Sequence, residues 1–170
     1  MGISIADLFA ALGADFHAPM EGVPTATVIV RMLMACCLGG VIGIEREIHA
    51  RTAGLRTHIL VSLASCLFTL IAWELIATEL PEGVRHNTDP LRLIEAVTAG
   101  VAFLAAGSII TSRGRVQGLT TGAGMWMAGA IGLACGTGRL TLAILATLIA
   151  VSVLFLLRRI SHSIGPKGDR

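Results

Sequence analysis

Apolar runs close to 20 residues long recur along almost the whole chain, approximately at 23 to 44, 57 to 78, 91 to 111, 119 to 137 and 139 to 157. As a helix rising about 1.5 Å per residue, each can cross a hydrocarbon core of about 30 Å. Composition points the same way: 54% of the 170 residues are hydrophobic and 14% are charged, where a soluble domain carries about 25% charged residues. The expectation is an all-α integral membrane protein, a compact bundle of about five transmembrane helices. It comprises a segment 1–22, a membrane domain 23–157 and a tail 158–170. Gly165, Pro166 and Gly168 argue against further regular structure in that tail.

Orientation follows from the basic residues, because cytoplasmic connections retain Lys and Arg. Arg46, Arg51, Arg56, Arg113, Arg115, Arg158, Arg159, Lys167 and Arg170 fall on one side, and Arg31, Arg85, Arg92 and Arg139 on the other. The nine-to-four division places the N-terminus outside and the C-terminus in the cytoplasm, which requires an odd number of spans. Residues 1 to 20 contain no Lys or Arg and carry Asp7 and Asp15, unlike a secretory signal. Ile5, Leu8, Phe9, Leu12 and Phe16 fit either a short interfacial helix or a frayed terminus. Cys36, Cys37, Cys66 and Cys135 lie within apolar runs without metal-site spacing and read as small core residues.

Four features exceed generic membrane-helix composition. The first is the connection from Gly43 to His58. If the first helix continues through it, Glu45 faces His49 and Glu47 faces Arg51 at i to i+4 spacing. The two carboxylates then diverge, which argues against a shared Mg²⁺, whose oxygen ligands must converge at about 2.0 to 2.1 Å. Gly54 is expected to end this helix and Thr57 to cap the next, making Ala53-Gly54-Leu55-Arg56-Thr57 a rigid turn and a docking surface. The second feature is Gly118-Leu119-Thr120-Thr121, where either threonine can cap the fourth helix.

The third is a glycine stripe in the fourth helix, at Gly118, Gly122, Gly129, Gly132 and Gly136. Small residues let helix backbones approach closely in lipid, and Gly39, Gly43, Gly100 and Gly107 offer matching faces, so compact packing is expected rather than a pore. The fourth is a polar set in the outer leaflet: Arg31, Glu74, Asp89, Arg92 and Glu95. Arg31 lies about 12 Å inside the first helix, and an intramembrane charge is expensive unless paired. Arg31 is therefore expected to face the bundle interior and approach Glu95, Glu74 or both, either as a structural pair or as part of a polar cavity.

At these residues the chain resembles the MgtC/SapB/YhiD family of bacterial inner-membrane proteins. The resemblance covers approximately residues 30 to 140. It rests on Arg31-Met32-Leu33, Gly43-Ile44-Glu45-Arg46-Glu47, Ala53-Gly54-Leu55-Arg56-Thr57, Asp89-Pro90 with Arg92, and Gly118-Leu119-Thr120-Thr121. Where the family has a glycine-richer third helix, Ala102 and Ala105 stand within Gly100-Val101-Ala102-Phe103-Leu104-Ala105-Ala106-Gly107. The resemblance implies an association with magnesium homeostasis, intracellular survival and control of a membrane ATP synthase. Longer relatives add a soluble domain after the last span.

The expected function is a multi-pass inner-membrane accessory or regulatory protein whose motifs at 45 to 57 and 113 to 121 contact another membrane protein. The alternative is a transporter of Mg²⁺ or another small solute through the outer-leaflet charges. No nucleophile, base and orienting group can be assembled for an enzyme, and no metal or cofactor is expected. Expected partners are the lipid bilayer and a further membrane protein. A homo-oligomer through the glycine face is allowed, and nucleic acid is not expected.

Overall fold

A computed structural model of the chain describes residues 4, 5, 7, 23–49, 53–77, 89–112 and 115–164. Most of the 1–22 segment, Arg51, Arg85, Arg113 and the end of the tail lie outside the described residues. The described part comprises helices α1 (Thr25–Ile48), α2 (Leu55–Ala77) and α3 (Pro90–Gly107), strands β1 (Ile110–Ser112) and β2 (Arg115–Gln117), and helices α4 (Leu119–Gly136) and α5 (Leu140–Ile164). By length and composition, α1 and α2 can each cross a membrane, and Leu140–Leu156 is a shorter apolar stretch.

Local chemistry sets the boundaries. Asp89 accepts the Leu91 amide at 2.9 Å and Pro90 occupies the first helical position, so α3 begins where its missing N–H costs nothing. The helix α4 closes through Gly138, at φ 77°, with the Arg139 amide bonded to the Ala134 carbonyl at 2.8 Å. That six-to-one bond is the Schellman closure, which needs a left-handed residue just past the helix.

Three expected boundaries are corrected. The helix α1 does not run on to Gly54: it ends at Ile48, with His49 at its C-cap. The third apolar run does not stay helical to 111: α3 stops at Gly107, and β1 and β2 form an antiparallel hairpin pairing Ile110 with Gln117 and Thr111 with Val116. Consecutive β-branched residues favour extended backbone, and Gly118, at φ 90°, returns the chain to α4 in a conformation that few residues besides glycine adopt. The last helix does not stop at 157 but continues to Ile164, immediately before Gly165 and Pro166. Its helical backbone therefore outlasts its apolar run.

The helix α4 is the axis of the fold, in contact with all four other helices. Its glycines make this possible. A Cβ on Gly136 would lie 2.5 Å from Thr69 Cβ, one on Gly129 would lie 3.0 Å from Val101, and one on Gly132 would run into the Ser62 carbonyl of α2. Gly39 and Gly43 of α1 likewise lie against Ser62 and Leu55 of α2. Ala35, Ile42, Cys66, Leu70, Ile131, Cys135 and Ala143 fill the core between α1, α2, α4 and α5. Gly100 and Gly107 depart from expectation, having nothing within 4 Å of where a Cβ would sit.

Candidate functional site

The motif residues of 45–57 and 118–121 gather at the end of the bundle where α1 passes into α2 and the hairpin joins α3 to α4. The Glu47 carboxylate reaches across the α1–α2 connection and accepts the Leu55 amide at 2.9 Å. It thereby satisfies one of the orphan donors at the start of α2. Gly54 lies under this bridge, and a Cβ there would strike the same carboxylate oxygen. Thr57, expected as the cap, is the third residue of α2, and Glu47 makes the capping bond in its place. A local reading prefers a short side chain immediately before a helix, whereas this cap arrives from eight residues upstream.

Beside this bridge, Arg46 is 4% exposed. Its Nε lies 2.9 Å from Glu45 Oε2, and His49 Nδ1 lies 3.2 Å from the other Glu45 oxygen. His49 also donates to the Glu45 carbonyl at 2.6 Å. Glu45 is thus shared between two basic side chains while Glu47 is turned away to its own amide. His58 is fully buried, donating through Nδ1 to the Gly54 carbonyl at 2.8 Å. Its Nε2 faces Gly124 of α4, 3.0 Å from where a Cβ would stand.

The second motif docks on the first. Gly118 starts α4 with its missing Cβ directed at the Ser108 carbonyl. Neither expected threonine caps the helix: Thr120 is exposed, Thr121 is buried, and no side-chain cap is formed. Met125, one turn on, packs with Ala53 and Ala105. The turn 53–57 and the start of α4 are therefore held together through Ala53 against Met125 and His58 against Gly124. His58 and Gly124 were not singled out in the sequence, although a histidine four residues beyond Gly54 was a signal. Arg56, Leu119 and Thr120 remain exposed at this end.

At the opposite end Arg31 reaches a main-chain carbonyl. Its Nη1 donates to the Gly136 carbonyl at 2.9 Å, and Nη2 stands 2.6 Å from where a Gly138 Cβ would be. The guanidinium closes the C-terminal end of α4, where a cation is favoured; it was expected to approach Glu95, Glu74 or both, and among the described residues it forms no ion pair with Glu95. Asp89 serves as the α3 cap, Glu74 is half-buried near the end of α2, and Arg92 and Glu95 are exposed on α3.

Between α2, α3, α4 and α5 lies a cavity of about 340 Å³ whose lining includes both tryptophans, Trp73 and Trp126, with Leu93, Ile94 and Leu142. Its two threonines, Thr98 and Thr137, bond to carbonyls of their own helices, at 2.6 Å to Ile94 and 3.1 Å to Leu133. No charged group lines it. Among the described residues, no group of three or more His, Cys, Asp or Glu side chains could hold a metal ion.

Comparison with known proteins places these motifs in context. The MgtC family pattern matches residues 32–163. YhiD of Escherichia coli strain K12, provisionally named a magnesium transporter, is 37% identical over 131 residues, 76% of this chain and 60% of that protein. SapB of Bacillus subtilis strain 168 is 38% identical over 112 residues, 65% of this chain and 48% of that protein. MgtC of Brucella abortus strain 2308 is 35% identical over 135 residues, 79% and 53% of the respective chains. The chain thus spans between about half and three fifths of the length of these relatives. No solved structure matches it.

Proposed function

The chain belongs to the MgtC family, and from that premise we propose that it is a multi-pass protein of the bacterial inner membrane, serving magnesium homeostasis as an accessory or regulatory module. In this reading all five helices span the bilayer, the N-terminus lies outside, and the end carrying Glu47, Gly54 and Gly118 faces the cytoplasm. The positive-inside count supports that orientation. The module acts by contact: the turn 53–57 and the start of α4 form one rigid platform that presents Arg56, Leu119 and Thr120 to another membrane protein.

One observation carries the proposal. The structural chemistry of the motif residues is spent on holding the platform, through Glu47 on the Leu55 amide and His58 on the Gly54 carbonyl, and the exposed members surround it. The test is co-purification in detergent of partners with the unaltered chain and with R56A/T57A. Thr57 is included because it borders Arg56 without making the capping bond. Loss of a specific partner from the variant is expected, and unchanged recovery overturns the platform as a contact surface.

A second reading, transport of Mg²⁺ or another small solute, draws on the name of the Escherichia coli relative and on the buried polar residues His58, Ser62, Ser65 and Thr69 along α2. Against it, Ser65 and Thr69 donate to carbonyls one turn back in their own helix, at 2.9 and 2.7 Å, and α4 glycines press directly on this face. Flux of Mg²⁺ down a gradient into liposomes holding the purified chain would establish transport. Its absence with correctly oriented protein removes that reading.

A further inference from the structure

The outward face of α3 does not have the chemistry of a surface that meets lipid. Val97, Val101 and Ala105 form the buried stripe of this helix. At about 100° per residue the opposite side carries Ala96, Ala99, Gly100, Phe103, Ala106 and Gly107. All six are exposed, Phe103 to 81%, and neither glycine has a neighbour within 4 Å. An internal comparison is available in α5, where Leu142, Leu145, Leu148, Ile149, Phe155 and Leu156 are all more than half exposed. Large side chains of that kind suit acyl chains. An outward run of alanine and glycine around one phenylalanine suits another helix instead, since small residues admit a backbone and a lone large one fills the gap opposite.

A second, independent observation identifies the partner. Arg92 and Glu95 lie on this same side of α3, one turn apart and exposed, and neither forms an ion pair with another described residue. Charges so close to the hydrocarbon are retained where they find partners. Opposite charges one turn apart on one face are self-complementary: about a twofold axis along the membrane normal, Arg92 of each chain meets Glu95 of the other. We propose that the outward face of α3 pairs with α3 of a second copy of this chain, parallel to it, Phe103 packing over the glycines of the partner helix and the Arg92 and Glu95 charges closing the outer end. The inference rests on the membrane-spanning reading above.

The experiment places the photo-crosslinker benzoylphenylalanine at Phe103, or at Leu148 as the lipid-facing control, in two differently tagged copies expressed together. Irradiation at position 103 is expected to give a product containing both tags, and irradiation at position 148 is not. R92E or E95R alone should lower the yield by about fivefold, in the range two partly exposed ion pairs supply, and R92E/E95R together should restore it. Retention of each variant in carbonate-washed membranes reads the membrane assignment separately. Loss from that fraction overturns the assignment and the pairing with it. Retention without a two-tag product, equal products at 103 and 148, a product with a different protein, or no restoration by the charge exchange overturns the pairing alone.

Discussion

The close approach of α1 to α2 can be tested by adding one methyl group. In Gly39→Ala the new Cβ would stand 2.7 Å from Ser62 Cβ and 2.8 Å from the His58 carbonyl oxygen. Ordinary contact begins at 3.4 Å, so the helices must separate by about 0.7 Å at this point. The obstructing atoms are a main-chain oxygen and a Cβ, which no side-chain rotation can remove. Overpacking of this kind costs about 1 to 3 kcal/mol, and at roughly 2 to 4 °C per kcal/mol for a chain of this size the midpoint should fall by about 2 to 12 °C. The control is Gly100→Ala on the monomeric detergent fraction, which meets no atom within 4 Å and should gain a few tenths of a kcal/mol from the less flexible unfolded chain, as a rough estimate. Size-exclusion recovery after heating reads both. If the two variants melt together, the α1–α2 seam is not closed against a methyl group and the packing argument fails.

Glu47→Ala removes the acceptor for the Leu55 amide and should cost about 0.5 to 2 kcal/mol, read as faster hydrogen exchange at Leu55, while Glu47→Gln should keep most of the protection. Gly54→Ala should produce the same loss with the carboxylate intact, because the new Cβ displaces it. Arg31→Met should destabilise by about 1.5 to 3 kcal/mol, the range for a bond from a charged donor, and Arg31→Lys by less. Equal melting of Arg31→Met and the unaltered chain would remove the cap assigned to that arginine. Impermeant-thiol labelling of single cysteines at 56 and 170 should occur from the same side of the membrane and at 139 from the other; opposite labelling of 56 and 170 refutes the orientation.

The helices and much of their packing were legible because apolar run length and glycine spacing are local signals. The α4 stripe is of this kind: its members are three, four or seven residues apart, and the helix repeat alone places them on shared faces. Several details were not legible. Arg31 finds a carbonyl 105 residues away, and a sequence displays side-chain charges but not which helix ends will lack partners. Glu47 caps a helix that starts eight residues later, beyond the reach of a local capping pattern. The start of the hairpin, Ile110 and Thr111, lay at the end of an apolar run, where hydrophobicity by itself does not separate strand from helix over a few residues. Gly100 and Gly107 carried the same spacing signal as the packed glycines but face outward, because composition does not tell which neighbour a small residue is reserved for.

Between accessory module and conduit, the geometry of α2 and α4 weighs most. A hydrated divalent cation needs several oxygen ligands converging around it and sheds water reluctantly. The buried hydroxyls of Ser65, Thr69 and Thr147 instead donate to carbonyls four residues back, and Thr69 faces Gly136 too closely for a methyl group. Opening a path there would require α4 to withdraw from α2. Each end opposes that motion: Met125 and Gly124 are packed against Ala53 and His58 at one, and Arg31 ties the end of α4 to α1 at the other. A helix fixed at both ends and in contact along its length suits a scaffold better than a gate, so the surfaces free to carry information are the exposed ones: the platform around Arg56 and the outward side of α3.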